Sequence, residues 1–584
     1  MSRKRRFRPP RLLVKSAVIV VGLLVGLALG WILVTGLLAR REAIAAQTAV
    51  DRLRADVRAA ELSNVAASID QIRLHSRRAH ILTSGPAWFV GAHLPWLGRP
   101  IASARGLAER SDELANDVLL PLAQVSDRLD VTHLVDRGKI SLQPLIDAAP
   151  LIRAATTRLS TAQVQVAALP AATWLPTVDR ARDHLLTSMN QLRDQLDSAN
   201  RATSVLPDML GARRVQRYFV GLENEAESRG LGGIPGAFAI ATADHGQIKF
   251  TTFQSDTELY NVKADVDLGA EYEQRYGRSD PTATYPNSTI GPDFRDAARI
   301  WMAMWYKHTG QRIDGAIAVD PTAIGYLLKV TGPARLADGQ SVRSDNVSSL
   351  TQQSVYQRFP ATAQRKAYLL QIASAISNRL ISAHGSTDLF RAVATAASQR
   401  RIMIWSADQT AEDALRQTGI AGTLDSQGHP FAGFTTVNAT GGKLDYYLRR
   451  SMTYQRSGCG ATESTASLVL TNAVPAGPLP AYVTLRVDRP PYPTKPGDNK
   501  VLVSYYATPR SRIAGVTVDG VRTIVAPGTE KGLTVFTLPL ELPRGSTRKV
   551  TVRVTESAAS APVRILTQPA VHPVVTSVSS PTCG

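Results

Sequence analysis

The residues best placed to do chemistry lie in one string, Glu223-Asn224-Glu225-Ala226-Glu227-Ser228-Arg229-Gly230-Leu231-Gly232-Gly233-Ile234-Pro235-Gly236. It reads as a loop between two short strands. Glycines there admit positive φ and close approach of the backbone to a ligand. Successive N–H groups in such a loop cradle an anion. The bland alternative is a glycine-rich connection whose acids pair with nearby arginines. The Gly-Lys-Ser/Thr ending of a P-loop is absent. Glu225 and Glu227, two apart, fall on one side of an extended chain, which suits either a glycosidase carboxylate pair or plain solvent exposure. No Gly-x-Ser-x-Gly elbow and no His-Glu-x-x-His occurs, and the histidines are scattered.

The elements that must position this string are legible on either side of it. Residues 218–222, 236–241, 247–250 and 313–320 read as strands. Helical patterns cover 292–308, 321–330 and 362–381, with Asp320 as N-cap and Pro321 in the first turn. This alternation predicts an α/β or α+β domain over 211–448. Strand-like runs at 466–472, 481–487, 500–506, 514–518, 533–539 and 548–555 predict a β-sandwich over 449–562. The Pro-, Ser-, Thr- and Val-rich tail 563–584 reads as loose unless a bridge at Cys583 ties it. Cys459 and Cys583 are the only cysteines, and an oxidising compartment would pair them across that tail.

The N-terminal part has another character. Ser16 to Ala39 carries no charge, long enough for a helix to cross a ~30 Å hydrocarbon core. Arg3, Lys4, Arg5, Arg6, Arg8, Arg11 and Lys15 precede it without an acid, which places residues 1–15 in the cytoplasm. A cleaved signal peptide is the alternative, although the run exceeds an ordinary signal core. Gly22, Gly26 and Gly30 repeat at i+4 and offer a face for self-association. Residues 40–210 read as an elongated helical stalk, with one unbroken helix from 40 to 82. An aromatic, proline-rich hairpin follows near 85–100, a helix connection or an interfacial anchor. The expected architecture is therefore multidomain: transmembrane helix 16–39, helical stalk or bundle, central α/β domain and C-terminal β-sandwich. The net charge is +19, and +10 remains beyond residue 41, which favours anionic surfaces or polymers. No basic stripe or motif points to nucleic acid.

The string also carries a resemblance. Asn224, Ala226, Glu227, Arg229, Gly232, Gly233 and Gly236 fit the signature of the DUF4012 family of actinobacterial membrane-anchored envelope proteins, with Ile234-Pro235 where Phe-Ile is usual. Gly291-Pro292-Asp293-Phe294, Ile313 to Pro321, Leu328 to Pro333 and Gly442-Lys443-Leu444-Asp445 resemble further elements of that family, over about residues 45–555. The family implies an extracytoplasmic envelope location and no settled activity. A more distant topological likeness is to the LytR-CpsA-Psr family, which transfers glycopolymers from polyisoprenyl-pyrophosphate lipids. That likeness implies catalytic roles for Arg229, Asp320 and Arg295. It implies a ligand site made with Glu227, Gly232, Gly233, Asp293, Arg299, Arg365 and Lys366, and magnesium on Asp293, Asp296 and Asp320. The expected functions are binding or organising an anionic or glycan polymer of the cell wall, transfer from a lipid-linked pyrophosphate, or scaffolding of a membrane complex.

Overall fold

The computed structural model describes residues 11–59, 64–128, 134–458, 461–556 and 561–580. Cys459 and Cys583, and with them the expected disulfide, lie outside these residues, as does most of the basic leader. The chain divides into two compact units, 1–130 with 143–204 and 131–142 with 205–584.

The first unit is built on helices. They are α1 (Arg11–Ala59), α2 (Val65–Thr83), α3 (Pro86–Ala92), α4 (Gly98–Leu114), α5 (Leu120–Arg128), α6 (Gln143–Ala167) and α7 (Pro176–Met209). A five-residue π-helical turn, Ala115–Leu119, joins α4 to α5. Leucine, isoleucine, valine and alanine at helical spacing fill its core: Leu114, Val118, Ile152, Leu159 and Val166 are buried together. Among the described residues, α1 alone is long and apolar enough to cross a bilayer; its candidate span falls within Gly22–Asp56, with a mean hydropathy of 2.2 and 11% burial. Nothing lies within 4 Å of a side chain added at Gly22, Gly26 or Gly30.

The single helix expected over 40–82 is corrected here. The chain instead reverses after α1, and α2 runs back along it. His75 Nδ1 lies 2.6 Å from Glu42 Oε2, and Ser68 donates to Asp56 at 3.2 Å, which sets an antiparallel register. Ala49, Ile72 and Ala115 pack between them. Alanine and charged residues alone supply no stop signal, so local pattern misses the reversal.

The second unit contains a mixed sheet and two antiparallel-rich sheets. The mixed sheet uses β1 (Val135–Asp136), β2 (Lys139–Ile140), β3 (Gln216–Arg229), β4 (Gly232–Asp244), β5 (Gln247–Ser255) and β6 (Gly315–Val319). A two-stranded ribbon, β7 (Ala334–Arg335) and β8 (Ser341–Val342), precedes its last member, β9 (Ile402–Ser406). The order is β1-β2-β5-β4-β3-β6-β9, with β3 and β6 parallel. Helix α8 (Phe294–Thr309) covers one face, burying Trp301 and Met304 on Phe219 and Phe238. Helices α9 (Pro321–Thr331) and α10 (Thr362–Ile381) follow the predicted ranges closely.

From residue 431 the chain is mostly strand. A five-stranded sheet has the order β16-β17-β13-β10-β19, and a six-stranded sheet β15-β14-β18-β12-β11-β20. Their strands are β10 (Phe431–Asn438), β11 (Leu448–Arg456), β12 (Glu463–Asn472), β13 (Asn499–Ala507), β14 (Arg512–Val518), β15 (Val521–Thr523), β16 (Gly528–Glu530), β17 (Leu533–Leu542), β18 (Thr547–Thr555), β19 (Arg564–Thr567) and β20 (Val575–Ser579). Alternating residues of both sheets, among them Phe434, Met452, Leu468, Val503, Leu538 and Val552, share one core. Three sequence expectations change. The strand-rich region begins with β10, before residue 449. Residues 481–487 form no strand. The tail is not loose: β19 pairs in parallel with β10, and β20 with β11.

Candidate functional site

The string 223–236 is not a loop. It is the end of β3 and the start of β4, joined at Gly230-Leu231, with register shifts at Leu222/Glu223 and Asn224/Ser228. None of its glycines has a positive φ. They are there for space: a Cβ on Gly230 would lie 2.2 Å from the Ile290 carbonyl oxygen, and one on Gly233 2.3 Å from Asn224. The N–H groups expected to cradle an anion already have partners. Ala226 donates to Gln352, Ser228 to Asp445, Gly230 to the Ile290 carbonyl and Gly233 to Glu223.

The acids of the string face inward. Glu223, Glu225, Glu227 and Arg229 are all buried. Such charges persist only when paired. Glu227 accepts from Arg229 Nη2 at 3.0 Å and from Lys443 Nζ at 2.6 Å. Burial acts to raise its carboxyl, but these two cations more than offset that and hold it below its ordinary value. Burial likewise acts against the charge of Lys443, and Glu227 beside it keeps the ammonium protonated. Arg229 is completed by Asn287 Oδ1 at 3.0 and 3.2 Å.

Next to this pair lies a second group. Asp320 caps α9 through Ala323 N–H at 2.7 Å, as its sequence position predicts, and its other oxygen accepts from Arg401 at 2.6 Å. Arg401 reaches Glu225 at 3.5 Å and the Ala570 carbonyl at 3.0 Å. Burial, reinforced by the neighbouring Asp320, raises the Glu225 carboxyl well above its usual range. Glu223 has only the Gly233 N–H, 3.3 Å away; burial pushes it up to about 8. One oxygen of Glu223 and one of Glu225 have no partner.

The expected catalytic trio is distributed over three separate arrangements. Arg229 pairs with Glu227, Asp320 with Arg401, and Arg295 with Asp293 at 2.6 Å. No hydrogen bond or ion pair links the three among the described residues. The magnesium set is corrected as well. Asp293 caps α8 through Arg295 N–H and also accepts from Leu424 N–H, while Asp296 pairs with Lys531 at 2.9 Å. No group of three or more His, Cys, Asp or Glu able to hold a metal exists among the described residues. Gly232 and Gly233 are backbone spacers. Arg299 donates to the Asp267 carbonyl at 2.8 Å.

Residues from β-rich elements complete the network. Asp445 accepts from Ser228 N–H, Asn438 and Asn499 at 2.6–3.0 Å. Arg450 donates to Ser228 Oγ at 2.7 Å. Gln568 donates to the Arg229 and Thr436 carbonyls at 2.5 and 2.7 Å. Sequence reading notes Lys443 and Asp445 as family-like but does not join them to the string, and it misses Arg401, Arg450 and Gln568. Two part-exposed tyrosines lie near these residues. Tyr260 and Tyr482 are 44% and 37% exposed. The Arg365 guanidinium is 4.1 Å and Lys443 Nζ 5.8 Å from the Tyr482 ring, and Tyr356 stacks on it at 5.5 Å. Lys366 lies 5.3 Å from the Tyr260 ring and pairs with Asp256 at 2.6 Å; the Tyr260 hydroxyl donates to the same carboxylate. Arg365 is itself buried, donating to the Phe359 and Pro360 carbonyls.

Two small cavities flank the network. One of about 10 Å³ is lined in part by Phe434, Arg450, Met452 and Gln568. Another of about 10 Å³ is lined in part by Gln352, Lys443, Tyr447 and Val483. Each has room for about one water and none for an isoprenoid chain.

Residues 214–356 match one protein family. The matching family model is DUF4012, described as a protein of unknown function. The matched segment contains the β3–β4 string, Asp293, Asp320 and Tyr356, while Arg365, Arg401, Lys443 and Gln568 lie beyond it. No curated protein matches the chain. Among solved structures, that of Lin1025 protein from Listeria innocua is similar, with 12% identity over 37% of this chain and 84% of that one; its TM-score of 0.20 carries no argument.

Proposed function

We propose that this protein is a single-pass plasma-membrane protein, N-terminus cytoplasmic, whose second unit binds an anionic or glycan polymer of the cell envelope. The observation that carries this reading is that Tyr260 and Tyr482, both part-exposed, have cations held against their rings, Lys366 at the first and Arg365 and Lys443 at the second. Tyrosine offers a flat apolar ring with a polar rim at low entropic cost. Arg365 and Lys443 fix the Tyr482 ring from below, so the surface is preorganised. The positive balance of the chain beyond residue 41 draws polyanions toward it. An extended polymer needs such a shallow face rather than a cavity. The pairings of Arg229, Arg295 and Asp320 give no support to transfer from a lipid-linked pyrophosphate.

The test is titration of the full chain in detergent with N-acetylated glycan oligomers and with a glycerol-phosphate polymer. At least one should bind, and Tyr482→Ala and Tyr260→Ala should each weaken it tenfold or more. Parent-like affinity in both variants overturns the reading.

A further inference from the structure

The aromatic hairpin after α2 is not explained by polymer binding. Trp88, on α3, is buried against α1, and its indole N–H donates to Thr35 Oγ1 at 2.8 Å. A Cβ on Gly36 would touch the Trp88 ring at 3.4 Å, and one on Gly91 would lie 3.1 Å from Ile32. Ile32, Thr35 and Gly36 belong to the uncharged run that ends at Ala39. At ~1.5 Å per residue, Thr35 sits about 6 Å and Ile32 about 10 Å inside that end. Helix α3 is therefore docked alongside the span, at the depth where interfacial helices bury their apolar faces, ~5–10 Å below the headgroups.

Large apolar side chains of α3 and of the turn that follows it are exposed. Phe89 is 53%, Val90 63%, Leu94 42%, Trp96 68% and Leu97 50% exposed. Trp174, 47% exposed, comes from the α6–α7 connection and meets Trp96 at 6.3 Å between ring centroids. Two sequence-distant segments thus present tryptophan at one place, the residue most favoured at membrane interfaces. Cations frame it. The Arg105 guanidinium lies 5.4 Å from the Phe89 centroid. The Glu42–His75 register sets the exposed Arg77 and Arg78 about level with Arg40 and Arg41, where phosphate headgroups would meet them.

We propose that residues 86–97, with Trp174, form a second membrane contact that beds in the outer leaflet beside α1. The occupant of this apolar surface is lipid, because the surface continues the side of the spanning helix. The proposal rests on the membrane-anchor reading of α1. It gives the first unit a fixed attitude to the bilayer instead of a free pivot at residue 40.

The experiment uses the full chain in phosphatidylcholine nanodiscs, plain or brominated near the glycerol end of the acyl chains. The chain has seven tryptophans, so each accounts for roughly one-seventh of the emission. Bromine should quench the parent, and the quenched fraction should fall in Trp96→Phe and in Trp174→Phe. A second brominated lipid, labelled at mid-chain, reports Trp31 through Trp31→Phe. If Trp31 is quenched and the other two variants match the parent, the outer-leaflet contact is overturned while the anchor stands, as would also follow if a protein partner covered this surface. If Trp31 also escapes quenching, the anchor reading fails with it.

Discussion

Glu223 has one N–H partner and one oxygen without any, and it is buried on β3. Burial moves its carboxyl from an ordinary 4.5 to about 8. Between those values the unfolded chain has released this proton and the folded chain retains it. Its contribution to stability is therefore complete below about pH 4.5 and is lost as pH rises through 8. Glu223→Gln keeps the shape without the titration. Between pH 5 and pH 8 the parent should lose up to about 4 kcal/mol through this group, and the variant should lose correspondingly less, as read from urea midpoints at the two pH values. Lys443 makes a different prediction. Removing it leaves Glu227 buried with Arg229 alone, so Lys443→Met should cost roughly 3–5 kcal/mol. Adding Glu227→Gln should recover part of that loss, and a double-mutant cycle in urea should return a coupling of at least about 1 kcal/mol. The sequence shows all these charges but not their destination. Glu227 and Lys443 are 216 residues apart, and a dense run of acids reads locally as solvent-exposed loop.

Elements were legible where local rules suffice. Helices α8, α9 and α10 show periodicity and breakers, and Asp320 caps α9 as its position implies, while Asp293, read within a first turn, caps α8. Reading failed where pairing is remote. Residues 481–487 alternate like a strand, yet their backbone meets only the Thr440–Lys443 turn, through Val483 and Val487, and no ladder forms. Conversely, β19 and β20 lie in a Pro- and Ser-rich tail and exist because they enter sheets alongside β10 and β11. Gly433 tests the first of these pairings. It faces Leu566 in register, and an added Cβ would lie 2.4 Å from the Leu566 Cβ. Gly433→Ala should cost about 1–3 kcal/mol. Hydrogen exchange should show the amides of 564–567 losing protection ahead of the rest of the sheet.

At the scale of the molecule, composition already separates a helical part from a strand-rich part, and the two compact units follow that division. Their composition does not reveal that the mixed sheet and the two later sheets share one unit. That union is made by the buried network, whose members come from β3, α9, β9, β11 and the segment after β19. Gln568, near the far end of them, lies 339 residues beyond Arg229, whose carbonyl it holds. Translation delivers residues in order. While residue 229 has long since left the ribosome, the group that clasps it has not yet been made. The β3–β4 hairpin must wait, incompletely enclosed and with its acids unsheltered, through the synthesis of more than half the chain. A message cut short just before this stretch therefore yields a product whose β3–β4 hairpin never acquires its last restraint, and the maturity of the fold becomes a direct report on whether synthesis reached the far side of residue 568.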